Sequence, residues 1–226
     1  MSDYRRLVVI AIDGPAGVGK STIARRLAQR LGFTYIDTGA MYRAVALWAR
    51  RQGVDISDMH RMEQLARAAA IALEPGSSRM LLNGEDVSAE IRTAEIAEAA
   101  SAAAAIPGVR RALVEKQRAI GASSSVVMEG RDIGSVVFPS ADVKIFLDAD
   151  PQERVRRRLA ETAGAPDAVA EQLKQRDERD RGRSESPLMQ APDAVYIDST
   201  GLSPDEVEEA ILKVIRTKLS NGKGFQ

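Results

Sequence analysis

An octapeptide near the N-terminus has the residue types and spacing of a phosphate-binding loop. Gly14–Ser21 fits the pattern G-x-x-x-x-G-K-[ST], with an apolar run before it and an amphipathic segment after it. Glycines let backbone N–H groups surround phosphates, and the N-terminus of the following helix attracts anions. The lysine reaches the β- and γ-phosphate oxygens, and the serine hydroxyl ligates Mg²⁺. The predicted triphosphate-binding residues are Gly14, Pro15, Ala16, Gly17, Val18, Gly19, Lys20, Ser21 and Thr22.

Two further polar segments follow apolar runs. Asp37–Arg43 carries Thr38, Tyr42 and Arg43, and Glu129–Gly134 carries the adjacent opposite charges of Arg131 and Asp132. The carboxyl ends of parallel strands line the ligand crevice of a doubly wound sheet. We therefore expect both segments to face a phosphate acceptor, where an arginine can clamp a phosphate group. A solvated helix arginine is the alternative interpretation of Arg43, and a surface turn that of the Arg131–Asp132 pair.

Arginines are concentrated in two later segments. They start a predicted helix at Glu153–Arg158 and end another at Arg176–Arg183, with a turn predicted at Thr162–Asp167. Such a helical hairpin could close over a triphosphate. Because acidic residues alternate with the arginines, two salt-bridged exposed helices are the alternative.

The order of predicted elements indicates an α/β fold. Five short apolar runs are typical of strands in a parallel sheet, namely Leu7–Ile12, Phe33–Ile36, Ser125–Met128, Val143–Leu147 and Val195–Ile197. Helical patterns separate them, including Lys20–Leu31, a helix from Thr38 to near Gly53, and one capped by Ser203 that runs to about Leu219. Residues 57–122 interrupt the alternation as an insertion, with antiparallel strands over Ile71–Val87 around an Asn83-Gly84 turn and helices over Thr93–Ala105 and Pro107–Arg118. The tail Ser220–Gln226 is predicted to fray.

Composition narrows the class of protein. The 226 residues contain 32 Lys plus Arg and 32 Asp plus Glu, so the net charge is zero and the basic excess of a nucleic-acid binder is missing. The sequence has no cysteine, which fits a reducing compartment. Neither a signal peptide nor a run of about 20 apolar residues is visible. We therefore expect a soluble, cytoplasmic protein that binds neither nucleic acid nor membrane, and a monomer by default.

Three classes of phosphate-loop protein compete at this point. A GTPase switch would carry an N-K-x-D segment, which the sequence lacks, and the chain is short for an ATPase motor. A small-molecule kinase is favoured, because a second convergence of arginines suits a second phosphate. A regulatory module that only binds ATP remains the alternative from a different class.

The motifs together resemble those of the bacterial cytidylate kinases, over nearly the whole chain. They are Ile12–Thr22, Asp37–Arg43, Glu90–Thr93, Gly130–Pro139, Lys144–Ala149 and Arg176–Arg183. The resemblance implies a phosphate-loop, three-layer α/β fold with a five-stranded parallel sheet. It also implies a core (about 1–56, 123–152 and 185–226), a nucleoside monophosphate-binding insertion (about 57–122) and a helical lid (about 153–184). The implied reaction is ATP-dependent phosphorylation of CMP and dCMP. A kinase of another small acceptor, such as UMP or a non-nucleotide metabolite, is the alternative.

The resemblance also implies roles for individual residues. Ser101, Arg110 and Asp132 would recognise cytosine, Arg176 and Asp180 the sugar, and Arg43, Arg131 and Arg183 the acceptor phosphate, with Thr38 and Tyr42 alongside. Arg157 and Arg158 would bind ATP. The catalytic set would be Lys20, Arg131, Asp132 and Arg183. Mg²⁺ would be bound directly by Ser21 and through water by Glu129, where the family often has aspartate; the family likewise often has threonine at Ser135.

Overall fold

The computed structural model describes residues 6–73, 79–161, 164–183 and 185–221. Within these residues the strands are β1 (Val9–Asp13), β2 (Thr34–Asp37), β3 (Ile71–Leu73), β4 (Met80–Leu82), β5 (Glu85–Asp86), β6 (Val126–Gly130), β7 (Val143–Asp148) and β8 (Val195–Asp198). The α-helices are α1 (Lys20–Leu31), α2 (Thr38–Arg51), α3 (Met59–Ala68), α4 (Ala94–Ala103), α5 (Pro107–Gly121), α6 (Pro151–Glu161), α7 (Pro166–Arg181) and α8 (Pro204–Asn221).

Five strands form one parallel sheet, as the sequence predicted; their order in the sheet is β2-β6-β1-β7-β8. In the register of the sheet, Asp13 of β1 lies opposite Gly130 of β6, and Asp37 of β2 lies opposite Glu129. The carboxyl ends of these strands therefore meet at one edge of the sheet. Each predicted strand is present and extends one or two residues further at its carboxyl end than predicted; four of the five end at an aspartate, and β6 ends at Gly130.

Apolar side chains cover the sheet on both faces. Ala11 and Met128 point into a core that includes α2 and α5, whereas Ile10 and Ile145 point into a second core with α1 and α8. Because alternate residues of a strand point to opposite faces, a strand buried on both sides must be apolar throughout. The result is a three-layer arrangement of helices, sheet and helices.

Local signals fix the ends of several helices. Gly32 adopts φ 68° at the end of α1, where left-handed backbone favours glycine, as predicted. At the start of α8, the Ser203 hydroxyl accepts from the Glu206 amide while the Glu206 carboxylate accepts from the Ser203 amide. These reciprocal bonds satisfy donors that a helix start leaves unpaired.

The predicted insertion contains a small antiparallel sheet in the order β3-β4-β5. Asn83 and Gly84 form the predicted turn, with φ values of 52° and 86°. Residues 74–78 of the predicted strand region lie outside the described residues. Helices α4 and α5 correspond to the two predicted helices, although α4 ends at Ala103 and α5 continues to Gly121.

The arginine-rich segments form α6 and α7, with two corrections to the sequence-based prediction. Pro166 was expected in the turn but occupies the first turn of α7, where its missing N–H costs nothing. Arg183 was expected on the helix, but α7 ends at Arg181 and Arg183 lies beyond Gly182. Thr162 and Ala163 of the predicted turn, and residues 222–226 of the predicted frayed tail, are outside the described part. Among the described helices, none combines the length and apolar character that a membrane span requires.

Candidate active site

The phosphate-binding loop joins β1 to α1 and depends on close backbone packing. Gly14 has φ 148°, and a Cβ atom there would lie 1.9 Å from the Leu147 carbonyl oxygen of β7. Only glycine fits, because any side chain would collide with rigid backbone. Gly19, with φ 91°, then directs the chain into α1. The loop therefore sits over the carboxyl edge of the sheet with the N-terminus of α1 beside it.

Lys20 is buried within this loop. Its Nζ donates to the Pro15 carbonyl 2.6 Å away, so the side chain folds back across the loop. Burial, together with the nearby charge of Arg131, lowers the pKa of Lys20 to about 7. Anionic phosphate oxygens would favour the ammonium form. The loop thus holds a cation whose charge an anionic ligand would stabilise.

The residues that close β2 and β6 form a polar group beside the loop. The Thr38 hydroxyl donates to the Glu129 carbonyl at 2.7 Å. Asp37 accepts from the Ala40 amide at the start of α2 and from the Arg43 guanidinium, both at 2.8 Å. These bonds fix the start of α2 and aim Arg43 toward the loop.

Glu129 and Ser21 supply oxygen atoms at the same place. Burial, and the neighbouring carboxylate of Asp37, raise the pKa of Glu129, while hydrogen bonds from Tyr35 and Ser21 act in the opposite direction. The Tyr35 hydroxyl donates to Glu129 Oε1 at 2.5 Å. Hydroxyl and carboxylate oxygens are the donors that Mg²⁺ prefers, and this ion usually takes only one or two protein ligands beside phosphates and water. The donor set fits Mg²⁺. No group of three or more His, Cys, Asp and Glu side chains that could hold a metal ion occurs in the described ranges.

A cavity adjoins the loop and is lined by all ten residues that were predicted to bind the phosphoryl acceptor. They are Thr38, Tyr42, Arg43, Ser101, Arg110, Arg131, Asp132, Arg176, Asp180 and Arg183. Arg110 and Asp132 form a buried ion pair inside it, with side chains 3% and 9% exposed. The Arg110 guanidinium also lies 5.8 Å from the centre of the Tyr42 ring. Helices α2, α4, α5 and α7 and the end of β6 thus converge on one space.

Several buried polar atoms in this cavity have no hydrogen-bond partner among the described residues. They are Ser101 Oγ and the Nε atoms of Arg43, Arg110, Arg176 and Arg183. An unpaired buried polar group costs about 1–3 kcal/mol, so native proteins rarely leave one without a reason. Unpaired groups on several residues that line one cavity point to a polar ligand there.

Positive charge dominates between the cavity and the loop. Burial, and then the charge of Arg131, lower the pKa of Arg176 to about 10. Asp180 accepts from Arg131 Nε at 2.7 Å and from Arg183. Burial alone would raise the pKa of Asp180, but the charges of Arg131 and Arg183 outweigh it, so the pKa is lowered. Packed guanidinium groups of this kind bind anions well.

The two arginines predicted to bind ATP occupy different positions on α6. Arg157 donates to the Val18 carbonyl at 3.1 Å and to the Ser199 hydroxyl at 2.9 Å, which ties α6 to the loop. Arg158 lines the space in front of Lys20 and Ser21. A further concave surface beside the loop is lined by Val18, Arg157 and the segment 201–204.

Three residues that the sequence-based prediction omitted also support this site. Asp13 accepts from the amides of Ile133 and Gly134 at 2.8 and 2.7 Å, which holds the turn after Arg131 and Asp132. Burial raises the pKa of Asp13 to about 6, although those two bonds oppose the shift. Tyr35 orients Glu129, and Asp177 contacts the loop itself. Asp13 could have been found from the sequence, because it is a carboxylate at the end of a buried strand next to the loop. No sequence pattern marks Tyr35 or Asp177.

Comparison with known proteins agrees with this geometry. The cytidylate kinase family model matches residues 10–217. The chain is 64% identical to the cytidylate kinase of Solibacter usitatus, over 100% of both chains, and 48% identical to that of Geobacter sp. (strain M21), over 95% of both. A gluconokinase from Sinorhizobium meliloti 1021 shares the fold, with a TM-score of 0.51 and 14% identity over 96% of this chain and 97% of that one. The chain belongs to the cytidylate kinase family.

Proposed function

We propose that the protein phosphorylates CMP and dCMP to CDP and dCDP, with ATP as the phosphoryl donor and ADP as the second product. One observation carries the proposal: a cavity beside the phosphate-binding loop combines a buried Arg110–Asp132 pair with an unpaired Ser101 hydroxyl and unpaired arginine donors. A nucleoside monophosphate has the base edge and the phosphate that these groups need. The full-length likeness to proteins named cytidylate kinase supports cytosine as the base.

Asp132 and Arg110 suit cytosine rather than uracil. A carboxylate accepts from the exocyclic amino group of cytosine, and a guanidinium donates to the acceptors of the ring. Uracil has a carbonyl in place of that amino group, so two acceptors would face each other. A site that forms hydrogen bonds to a particular group rejects analogues without it by a large factor.

The transfer step requires alignment and charge neutralisation more than proton transfer. An oxygen of the CMP phosphate attacks the γ-phosphorus in line, while the bond from that phosphorus to the β–γ bridging oxygen breaks. Because the attacking oxygen is already anionic, no protein base is required; His60 is exposed on α3 and pairs with Gln64. Lys20 and Arg131, together with Arg183, would neutralise charge on the phosphates.

Ser21 and Glu129 would hold Mg²⁺, the second through a water molecule. The ion would supply further neutralisation of the triphosphate. Arg158 would approach the phosphates of ATP, and Arg157 would contact the nucleotide at the concave surface beside Val18. Thr38 and Tyr42 would form the wall of the CMP cavity, and Arg43 would bind its phosphate. Arg176 and Asp180 would contact the sugar.

The division of the chain follows from these roles. Residues 57–122 would form the CMP-binding insertion, because α4 and α5 contribute Ser101 and Arg110. Residues 153–184 would form a lid, because α6 and α7 bring arginines over the loop. Closure would exclude water and limit hydrolysis of ATP.

A kinase of another acceptor and a binding-only module are both less well supported. A binding-only ATP module has no need for a second group of phosphate-binding arginines beside the loop. A non-nucleotide acceptor would leave the Arg110–Asp132 pair without a base to recognise.

The test is a coupled assay of ADP release with ATP and Mg²⁺. We expect CMP and dCMP to be used at least tenfold better than UMP, AMP or shikimate, and Lys20→Met to abolish transfer to all of them. Preferred use of another acceptor would refute cytidine specificity. ATP binding without any acceptor-stimulated ADP release would refute the kinase proposal.

A further inference from the structure

A second buried ion pair lies outside the cavity, where the helices α6 and α7 meet the phosphate-binding loop. Asp177 of α7 is 2% exposed and Arg154 of α6 is 9% exposed. One carboxylate oxygen of Asp177 accepts from Arg154 Nη1 at 2.5 Å. None of the roles proposed above uses this pair.

Both partners also bind the same residue of the loop. The second carboxylate oxygen of Asp177 accepts from the Ala16 amide at 3.3 Å, and Arg154 Nη1 donates to the Ala16 carbonyl at 3.2 Å. The two helices therefore form hydrogen bonds to both backbone groups, N–H and C=O, of a single loop residue. We refer to this set of three mutually hydrogen-bonded residues, Asp177, Arg154 and Ala16, as the Asp177 latch.

Close packing surrounds the latch. Val169 and Leu173 of α7 form a small buried cluster with Ala16. A Cβ atom on Gly17, which has φ 79°, would lie 3.2 Å from the Arg154 carbonyl oxygen. The backbone of α6 thus rests on the loop at a distance that only a glycine permits without adjustment.

The position of the latch along α7 links the two halves of the site. Arg176, the residue before Asp177, lines both the space in front of Lys20 and the acceptor cavity. Asp180 lies one turn further on and accepts from Arg131. A contact that fixes Asp177 against the loop therefore also fixes the position of Arg176 between the space in front of Lys20 and the acceptor cavity.

A buried ion pair is a poor source of net stability, because the cost of desolvation offsets much of the attraction. An apolar pair of similar volume would hold the two helices together at least as well. An apolar pair, however, could not form hydrogen bonds to the amide and carbonyl of Ala16. It would therefore not fix the position of α7 along the loop. The latch is better suited to fixing a geometry than to stabilising the fold.

We propose that Asp177, with Arg154, is a positioning residue that sets α7 on the phosphate-binding loop and thereby fixes Arg176, the proposed sugar contact, between the loop and the acceptor cavity. The inference rests on the proposed function for the identity of the acceptor, but not for the contact itself. Asp177 touches neither substrate; it acts through Arg176.

The test compares Asp177→Asn and Asp177→Ala with a control, Glu178→Gln, which changes the next residue at an exposed position. Asparagine keeps an acceptor for the Ala16 amide but loses the charge opposite Arg154, so it should fold even where alanine does not. For Asp177→Asn we expect kcat/KM with CMP to fall at least tenfold, with KM for CMP raised at least threefold. The control should stay within twofold of wild type.

Two further measurements separate positioning from a general loss of structure. A merely structural role would reduce the active fraction, which lowers kcat and the number of ADP-binding sites per chain but leaves KM unchanged. We expect Asp177→Asn to bind one ADP per chain by calorimetry. We also expect faster hydrogen exchange in peptides from α7, with no change in peptides from β1 and β6.

The proposal is overturned if Asp177→Asn keeps kcat/KM within twofold of wild type, or if reduced ADP-binding stoichiometry accounts for its whole loss. It is also overturned if exchange in α7 is unchanged. If wild type prefers an acceptor other than CMP, the proposed function fails, and the same kinetic comparison is made with that acceptor. If wild type uses no acceptor, exchange in α7 alone decides whether the latch exists.

Discussion

Asp132→Asn removes one negative charge from the centre of the acceptor cavity while keeping the shape of the side chain. In the structure this carboxylate is 9% exposed and paired with Arg110, which is 3% exposed. Water therefore cannot replace the lost charge. The substitution tests whether the buried pair selects the base, which is the central assumption of the proposed function.

The size of the effect follows from the bond that is lost. A hydrogen bond to a charged group contributes about 1.5–3 kcal/mol, which corresponds to roughly a 10- to 150-fold change in kcat/KM. We expect a loss of that size with CMP. UMP should gain, because the asparagine amide can rotate and donate to the carbonyl of uracil. The ratio of kcat/KM for CMP to that for UMP should fall by more than tenfold.

The assay is coupled ADP release at saturating ATP with CMP and UMP, and Asp167→Asn serves as the control because Asp167 is exposed at the start of α7. Stability is measured in parallel by urea unfolding. Leaving Arg110 buried without a full counter-charge should lower the free energy of unfolding by about 1–3 kcal/mol. A CMP-to-UMP ratio within twofold of wild type would refute the assignment of Asp132 to base recognition.

Three other predictions concern groups around the loop. Because the pKa of Lys20 is lowered to about 7, the side chain is mostly neutral at about pH 8, and binding of ATP there should be accompanied by uptake of protons. Calorimetry in buffers of different ionisation enthalpy should show this uptake for wild type but not for Lys20→Met. Equal proton uptake by both proteins would contradict the prediction. In Asp13→Asn, the NH₂ group of asparagine would face the backbone amide of either Ile133 or Gly134, so two donors would oppose each other. The free energy of unfolding at neutral pH should fall by about 1–3 kcal/mol in urea titrations. The pKa of Asp13 is raised from 3.8 to about 6, so the contribution of Asp13 to the free energy of unfolding falls as pH rises from about 4 to about 6. The Asp13→Asn variant should lack this fall. A variant whose stability has the same pH profile as wild type would argue against the prediction. Arg131→Ala should lower kcat by more than a hundredfold while ADP still binds, and turnover within a few-fold of wild type would exclude a role for Arg131 in transfer.

The sequence predicted the parallel sheet and the loop because both depend on local patterns. Strands buried on both faces must be apolar along their length, and a loop that surrounds phosphates must place its glycines at fixed intervals. Gly14 illustrates the second point, since its φ of 148° and its contact with β7 allow no side chain. The stop at Gly32 and the Asn83-Gly84 turn are local in the same sense.

Contacts between distant segments could not be predicted in this way. Asp177 and Ala16 are separated by 161 positions, and a carboxylate that accepts from a backbone amide leaves no periodic trace. Asp180 and Arg183 were expected to share a helical face; they pair even though α7 ends at Arg181, because a separation of three residues still brings the two side chains into contact. All ten predicted acceptor residues line one cavity, but their individual roles remain predictions.

The strand order has a consequence for how the chain folds during synthesis. β1 and β2 are not neighbours; each pairs with β6, which lies between them. β6 begins at Val126, long after β2 ends at Asp37, so during translation at about 5–20 residues per second both strands wait roughly 5–20 s for their shared partner. Over that interval their apolar faces must be covered by nascent helices or by a chaperone. The late arrival of β6 should therefore be the step at which the nascent sheet first becomes cooperative, and the stage at which aggregation competes most strongly with folding.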